Sequence, residues 1–115
     1  MKEINMYVRG REDYNTKIGC WIVVLEYKGR TKYLKGKGEN TTTNRMIITG
    51  VIEAIKTLKE PLYTHTYLGF KTKKSPNKDL IDELKKSIKD NEHILKEVVS
   101  QEKQKELAKI LKTIF

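Results

Sequence analysis

The chain has 115 residues, of which 24 are Lys or Arg and 15 are Asp or Glu, so its formal net charge is +9. This length predicts a single domain over residues 1–115, since two domains need roughly 100 residues each. A content of 37% hydrophobic residues with 2 prolines excludes a disordered chain. The longest apolar run, from Trp21 to Leu25, is too short to cross a bilayer, which takes about 20 residues, so we expect no membrane contact.

The only cysteine, Cys20, excludes an internal disulfide and a cysteine-rich zinc site. It favours a reducing, cytoplasmic location. The sequence pI of about 9.6 indicates an anionic partner, for which nucleic acid is the usual candidate. A solvated basic surface that has no partner is the alternative.

The first half of the chain is rich in β-branched and aromatic residues and predicts three strands. The first strand, Ile4–Val8, is followed by a glycine that ends it. The second, Lys17–Tyr27, is apolar on both faces. A short turn, 28–30, joins it to a third strand, Thr31–Gly36, so these two strands form an antiparallel hairpin.

The second half of the chain predicts helices that alternate with strands. Its apolar residues recur at helical spacing, and Pro61 marks the end of the first helix. The predicted elements are a helix from 41–44 to about Leu58, a strand Leu62–Leu68, a helix capped by Ser75, Asn77 or Asp79 and ending near Lys89, a strand His93–Val99, and a helix Gln101–Ile114. The order β-β-β-α-β-α-β-α predicts an α/β fold with a five-stranded mixed sheet and helices packed on it.

Several segments of the chain resemble type 1 ribonuclease H. The helix start TTTNRMIITGVIEAIKTLKE and the strand PLYTHTYLGF are similar to the family's T-N-N-R-M-E-L helix and the strand ending T-D-S. The segment KIGCWIVVLEYKGRTKYLKGKGEN resembles the hairpin before them, and NKDLIDELKKSIKDNEHILKEVV and KELAKIL resemble the elements after them. The resemblance covers nearly the whole chain and implies a ribonuclease H-like fold. The basic helix that some members insert is replaced by a short loop with Lys71, Lys73 and Lys74.

The family's reaction uses carboxylates on four elements to hold two divalent ions about 3.5–4 Å apart. The resemblance places other residue types at all four positions, with Glu106 as a possible slip for the last one. The matched residues are Arg9, Ile47, His65 and Lys105. Hard divalent ions require oxygen ligands, so these replacements predict no Mg²⁺ or Mn²⁺ site, no cofactor and no enzymatic activity.

Other acidic side chains could rebuild a metal site elsewhere. These are Glu3, Glu12, Asp13, Glu39 and Glu53. The residues in the loop after the first strand are close to the former metal site, but surface ion pairing is the favoured interpretation of this set.

Two groups of residues are candidates for binding phosphate. Arg9, His65 and Lys105 are expected to converge at the former metal site, where they form a basic pocket or mark a site that has drifted. The helix start at 42–45 keeps a polar run that offers free N–H groups to phosphate, or that serves only to cap the helix. Tyr67 and Tyr14 are the candidates for stacking on bases.

The sequence therefore predicts a catalytically inactive ribonuclease H-like protein that binds an RNA/DNA hybrid or another duplex through a basic former active-site groove. The residues expected to contact nucleic acid are Arg9, Arg11, Thr42, Thr43, Asn44, Arg45, His65, Lys71, Lys73, Lys74 and Lys105. The alternative is a protein-interaction or structural module that keeps the fold as a scaffold. One basic face would favour nucleic acid, whereas evenly spread charge would favour the scaffold.

Overall fold

A computed structural model of the protein describes residues 1–72 and 75–113. Five strands and three helices follow one another in the predicted order. The strands are β1 (Lys2–Glu12), β2 (Gly19–Tyr27), β3 (Arg30–Gly38), β4 (Leu62–Leu68) and β5 (Ile94–Val99). The helices are α1 (Thr43–Lys56), α2 (Lys78–Asp90) and α3 (Gln104–Leu111), with a short 3₁₀ turn at Ser75–Asn77 before α2.

The strands form one mixed sheet in the order β3-β2-β1-β4-β5. β1, β2 and β3 pair antiparallel, whereas β4 pairs parallel with both β1 and β5. The predicted α/β fold with a five-stranded mixed sheet is therefore confirmed. Because β1, β3, β4 and β5 all run in the same direction, their carboxyl ends lie along one edge of the sheet.

The sheet has two unequal faces. Alternate residues of a strand point to opposite faces, so Met6 and Val8 of β1 pack under α1, whereas Tyr7 packs under α3. The larger core joins β1, β2 and β4 to α1, whose Ile55 is fully buried. The smaller core is formed by Tyr7, Cys20, Ile22, Val24, Leu107 and Leu111.

The last helix is shorter than predicted. The sequence places it at Gln101–Ile114, whereas α3 spans Gln104–Leu111, and Ile114 lies outside the described residues. The residues before α3 form a turn attached to the end of β4, because the Ser100 amide donates to the Leu68 carbonyl at 2.7 Å. A turn held by contacts with a distant strand carries no periodic signal in its own sequence.

α2 is the most peripheral helix. None of its residues is buried, and Leu84 is the α2 residue that packs partly against the larger core. Its N-cap residue Asn77 makes no capping bond with its side chain. Within the described part of the chain, no helix has both the length and the apolar character needed to cross a bilayer.

Candidate nucleic-acid interface

A cleft of about 340 Å³ opens at the carboxyl ends of β1 and β4. Its walls come from the end of β1, the first turns of α1, the loop after β4 and the residues that begin α3. Arg9 and Arg11 line it together with Glu12, Tyr14 and Phe70. The cleft is thus the place where elements distant in sequence bring basic and aromatic side chains together.

α1 approaches β1 very closely at this edge. A Cβ atom on Gly10 would lie 2.9 Å from both the Thr43 carbonyl oxygen and Ile47 Cγ1, so only glycine fits there. This contact places Thr43 and Ile47 at the wall of the cleft. Ile47 is 2% exposed and belongs to the larger core, as expected for a residue that serves packing.

A buried amide positions Arg9 at the side of the cleft. One terminal nitrogen of its guanidinium donates to Gln104 Oε1 at 3.0 Å. Gln104 Nε2 in turn donates to the Val8 carbonyl at 3.2 Å, and the glutamine is 5% exposed. The start of α3 therefore holds both the backbone of β1 and the guanidinium of Arg9.

Gly69 stands level with Arg9 at the end of β4. The parallel register pairs Tyr7 with Tyr67, so two residues further along each strand Arg9 faces Gly69. A Cβ atom on Gly69 would lie 3.1 Å from Gln104 Cδ. The side chain of Gln104 thus occupies the space that a side chain at position 69 would need.

His65 does not lie in the cleft, so the prediction that it converges there with Arg9 is wrong. It pairs with Asn5, four residues before Arg9 on β1, which puts it roughly 13 Å away along the strand. Its Nε2 lies 2.9 Å from Glu3 Oε1. The flanking threonines carried the match to the family's motif, whereas the residue that lines the cleft level with Arg9 is Gly69, just after β4.

Lys105 is likewise absent from the cleft lining, and so is Glu106. Successive residues of a helix point about 100° apart, so only one of three neighbours can face the sheet. In α3 that residue is Gln104, while Lys105 and Glu106 are exposed. Lys105 therefore follows the residue that binds Arg9 but does not itself line the cleft.

The start of α1 is occupied by the protein's own side chains. Thr42 is the N-cap, and its hydroxyl accepts from the Arg45 amide at 3.2 Å. Glu12 Oε1 accepts from the Thr43 amide at 3.3 Å and lies 3.4 Å from its hydroxyl. The capping interpretation of this segment therefore holds for Thr42, and a carboxylate already takes the amide of Thr43.

Arg45 is also engaged. Its guanidinium donates to both carboxylate oxygens of Asp79, at 3.0 and 2.8 Å, and thereby ties α1 to α2. This pairing lowers the pKa of Asp79 to about 2. Asn44 is half-buried in the first turn of α1 and does not line the cleft.

Some of the remaining residues predicted to contact nucleic acid line the cleft, and others lie elsewhere. Arg11 lines the cleft, whereas the exposed Lys71 lines a separate groove beside β5. Lys73 and Lys74 lie outside the described residues. Of the two stacking candidates, Tyr14 lines the cleft and is 75% exposed. The ring of Tyr67 is already stacked on another tyrosine at 4.9 Å.

The cleft brings one carboxylate together with two arginines. Its carboxylate, Glu12, is bound to the start of α1, and Arg9 places a permanent positive charge nearby. Divalent ions such as Mg²⁺ need several oxygen ligands. In the described part of the chain, no group of three or more His, Cys, Asp or Glu side chains is placed to hold a metal.

Sequence reasoning missed three residues that build the cleft. Gln104 and Gly69 were not considered, and Glu12 was treated as a surface ion-pairing residue. The apolar spacing of Leu107 and Leu111 was a usable signal, because it indicates that this helix face, which begins near Gln104, is buried. Nothing in the sequence shows that this face meets the ends of β1 and β4.

No protein-family model matches the chain. It is similar to bacterial proteins named ribonuclease H. A protein of Caldicellulosiruptor saccharolyticus is 46% identical over 67 residues, which are 58% of this chain and 46% of that protein. A protein of Moorella thermoacetica is 42% identical over 67 residues, which are 58% of this chain and 44% of that protein. A protein of Thermoanaerobacter sp. strain X514 is 42% identical over 64 residues, or 56% and 41% of the two chains.

The chain resembles ribonuclease H in both sequence and fold. The matched region spans less than half of each of these relatives. The ribonuclease H-like order of strands and helices extends through the rest of the described chain.

The comparison contradicts the prediction that this protein is not an enzyme. The relatives bear the name of an enzyme, ribonuclease H. The prediction was based on four matched positions, and the structure puts two of them, His65 and Lys105, outside the cleft.

Proposed function

We propose that this protein binds nucleic acid, an RNA/DNA hybrid or another duplex, in the cleft at the carboxyl ends of β1 and β4. The single observation that carries the proposal is the guanidinium of Arg9, fixed by the buried Gln104 at the side of an open cleft. The similarity to ribonuclease H over 52–58% of the chain supports the choice of ligand.

The chemistry of the cleft suits a phosphate backbone. A guanidinium has several N–H donors in a planar fork, and the bond to Gln104 engages only one nitrogen of Arg9. Holding this side chain in place reduces the entropy that binding would cost. Tyr14 and Phe70 are 75% and 45% exposed at the same cleft and offer rings to sugars or bases.

The cleft supplies its own positive charge, so we propose that binding does not require a divalent cation. Arg9 and Arg11 neutralise phosphate directly and displace its condensed counterions. Contacts of this kind read the backbone and carry no base sequence.

The test is titration of the protein with a labelled RNA/DNA hybrid over a range of salt concentrations, with Mg²⁺ or with EDTA. The probe is run on a denaturing gel afterwards to detect cuts. We expect binding that weakens steeply with salt and is the same in EDTA. Arg9→Ala should weaken binding and lower the slope of log K against log salt by about 1.

Arg30→Ala is the matched control, since Arg30 is an exposed arginine at the opposite end of the sheet from the cleft. It removes the same charge and should change the slope little. Absence of binding at low salt would reject the proposal and leave the scaffold alternative. Loss of binding in EDTA would reject metal independence. If the hybrid is cut, the Arg9→Ala variant shows whether the same cleft is used.

A further inference from the structure

We propose that one face of β3, the edge strand two positions from β1, forms a second contact for the same nucleic acid. The contact, called the β3 strip here, consists of Tyr33, Lys35 and Lys37. All three side chains are exposed and alternate along the strand, so they share one face. This inference rests on the proposed function and extends its footprint across the sheet.

The register of the sheet aligns the β3 strip with the arginines of the cleft. Lys35 lies level with Arg9, and Lys37 lies level with Arg11, in each case with one β2 residue between them. Two strand spacings separate each pair by about 10 Å, and residues two apart on one strand are about 7 Å apart. The cations therefore form two rows that lead from the cleft to the edge of the sheet.

The thiol between one such pair responds to both charges. Cys20 is the β2 residue between Arg11 and Lys37. Burial raises the pKa of its thiol, while Arg11 and Lys37 act to lower it. Both cations thus lie close enough to Cys20 to influence its thiol, which agrees with the register of the three strands.

The orientation of the β3 strip is fixed by the opposite face of β3. A Cβ atom on Gly36 would lie 2.6 Å from Trp21 Nε1, and Leu34 packs against the larger core. A shift of the pairing by one residue would bury Lys35 and Lys37 in that core. The lysines are consequently held on the α3 face.

Ion pairs occur on both faces of the sheet, and on the α3 side they include Lys103 with Glu26. On the side of α1 and α2, lysines and arginines form ion pairs, such as Lys56 with Glu83 and Lys78 with Asp82. None of the ion pairs found among residues 1–72 and 75–113 includes Lys35 or Lys37. α3 adds further exposed lysines on the same side as the β3 strip, namely Lys105, Lys109 and Lys112.

Lysines also protect edge strands from pairing with other chains. That role accounts for cations on β3, but it does not account for an adjacent tyrosine that is 57% exposed. The other edge strand, β5, leaves Ile94 and Val99 about half exposed, at 48% and 47%. Lysines therefore do not protect both edge strands of this sheet to the same extent. Binding of nucleic acid explains the lysines and the exposed tyrosine of β3 better than edge protection does.

The test compares two variants that each remove two lysines. Lys35→Ala with Lys37→Ala should reduce the salt slope for hybrid binding by about 2, because two phosphate contacts are lost. Affinity at low salt should fall on the order of tenfold or more. Lys86→Ala with Lys89→Ala removes the same charge from exposed positions of α2 and should leave the slope close to that of the wild type.

The outcomes separate this inference from the proposed function. If the wild type binds and Arg9→Ala weakens it, but the two double variants behave alike, the β3 strip is not a contact. If the wild type itself does not bind, the proposed function fails first. Lys35→Arg with Lys37→Arg keeps the charge and should keep the affinity, and its failure to do so would also contradict the inference. Circular dichroism checks that every variant folds.

Discussion

At the scale of single residues, the cleft depends on one amide side chain. Gln104 donates to the Val8 carbonyl and accepts from Arg9, and it is 5% exposed. Gln104→Ala leaves that carbonyl without its side-chain donor and releases the guanidinium. We expect the free energy of unfolding to fall by about 1–3 kcal/mol, as for other buried groups that lose a partner.

Chemical denaturation measures this change, and Gln101→Ala is its control. Gln101 donates to the Gly69 carbonyl, but it is exposed, so water can replace it. Equal losses in the two variants would contradict a special role for Gln104. Hybrid binding by Gln104→Ala should also weaken, because the guanidinium loses its fixed position.

His93 is a second residue whose role only the fold reveals. Its Nδ1 accepts from the Leu62 amide at 3.2 Å, which requires the neutral ring, and the side chain is 5% exposed. Burial lowers the pKa of His93. The unfolded state therefore binds a proton more readily, and the free energy of unfolding should decrease as the pH falls below about 6.5.

The chain has 2 histidines, so the pH effect of His93 can be isolated. We would compare His65→Gln with the His65→Gln, His93→Gln double variant by denaturation between pH 7.5 and 5. In the double variant, the free energy of unfolding should no longer show the decrease that begins near pH 6.5. Parallel curves for the two proteins would show that His93 does not titrate on unfolding.

At the scale of elements, α1 and α2 differ in how firmly they are held. α1 buries eight residues, among them Ile55, whereas α2 buries none and is joined to α1 by the exposed pair of Arg45 and Asp79. Helices with few buried contacts open at lower free energy than the whole domain. We expect native-state hydrogen exchange to show α2 amides exchanging well before those of α1, and equal protection would contradict this.

The order of elements was predictable because apolar periodicity records which face of each element is buried. The residues at which each element begins and ends were harder to predict. The start of α3 depends on the turn that attaches Ser100 to Leu68, a contact between residues far apart in the chain. The site shows the same division: Arg9 and Ile47 both line the cleft, but only the register of β4 against β1 shows that His65 lies away from it.

At the scale of the whole molecule, composition predicted an excess of positive charge but not its location. The excess of +9 could have been spread evenly. The register of the sheet aligns the cleft's arginines with the lysines of β3, on the face that α3 covers. A duplex approaching this protein should therefore be oriented by its electrostatic field before any contact forms.

The crowding between Gly69 and Gln104 also links substitutions at these two positions. A new side chain at position 69 would lie only 3.1 Å from the Gln104 amide, so Gly69→Asp requires that amide to shift by a few tenths of an ångström. The same substitution should be tolerated once residue 104 has been made small. We therefore expect the two positions to be coupled, so that Gly69→Asp costs less stability when residue 104 is already small.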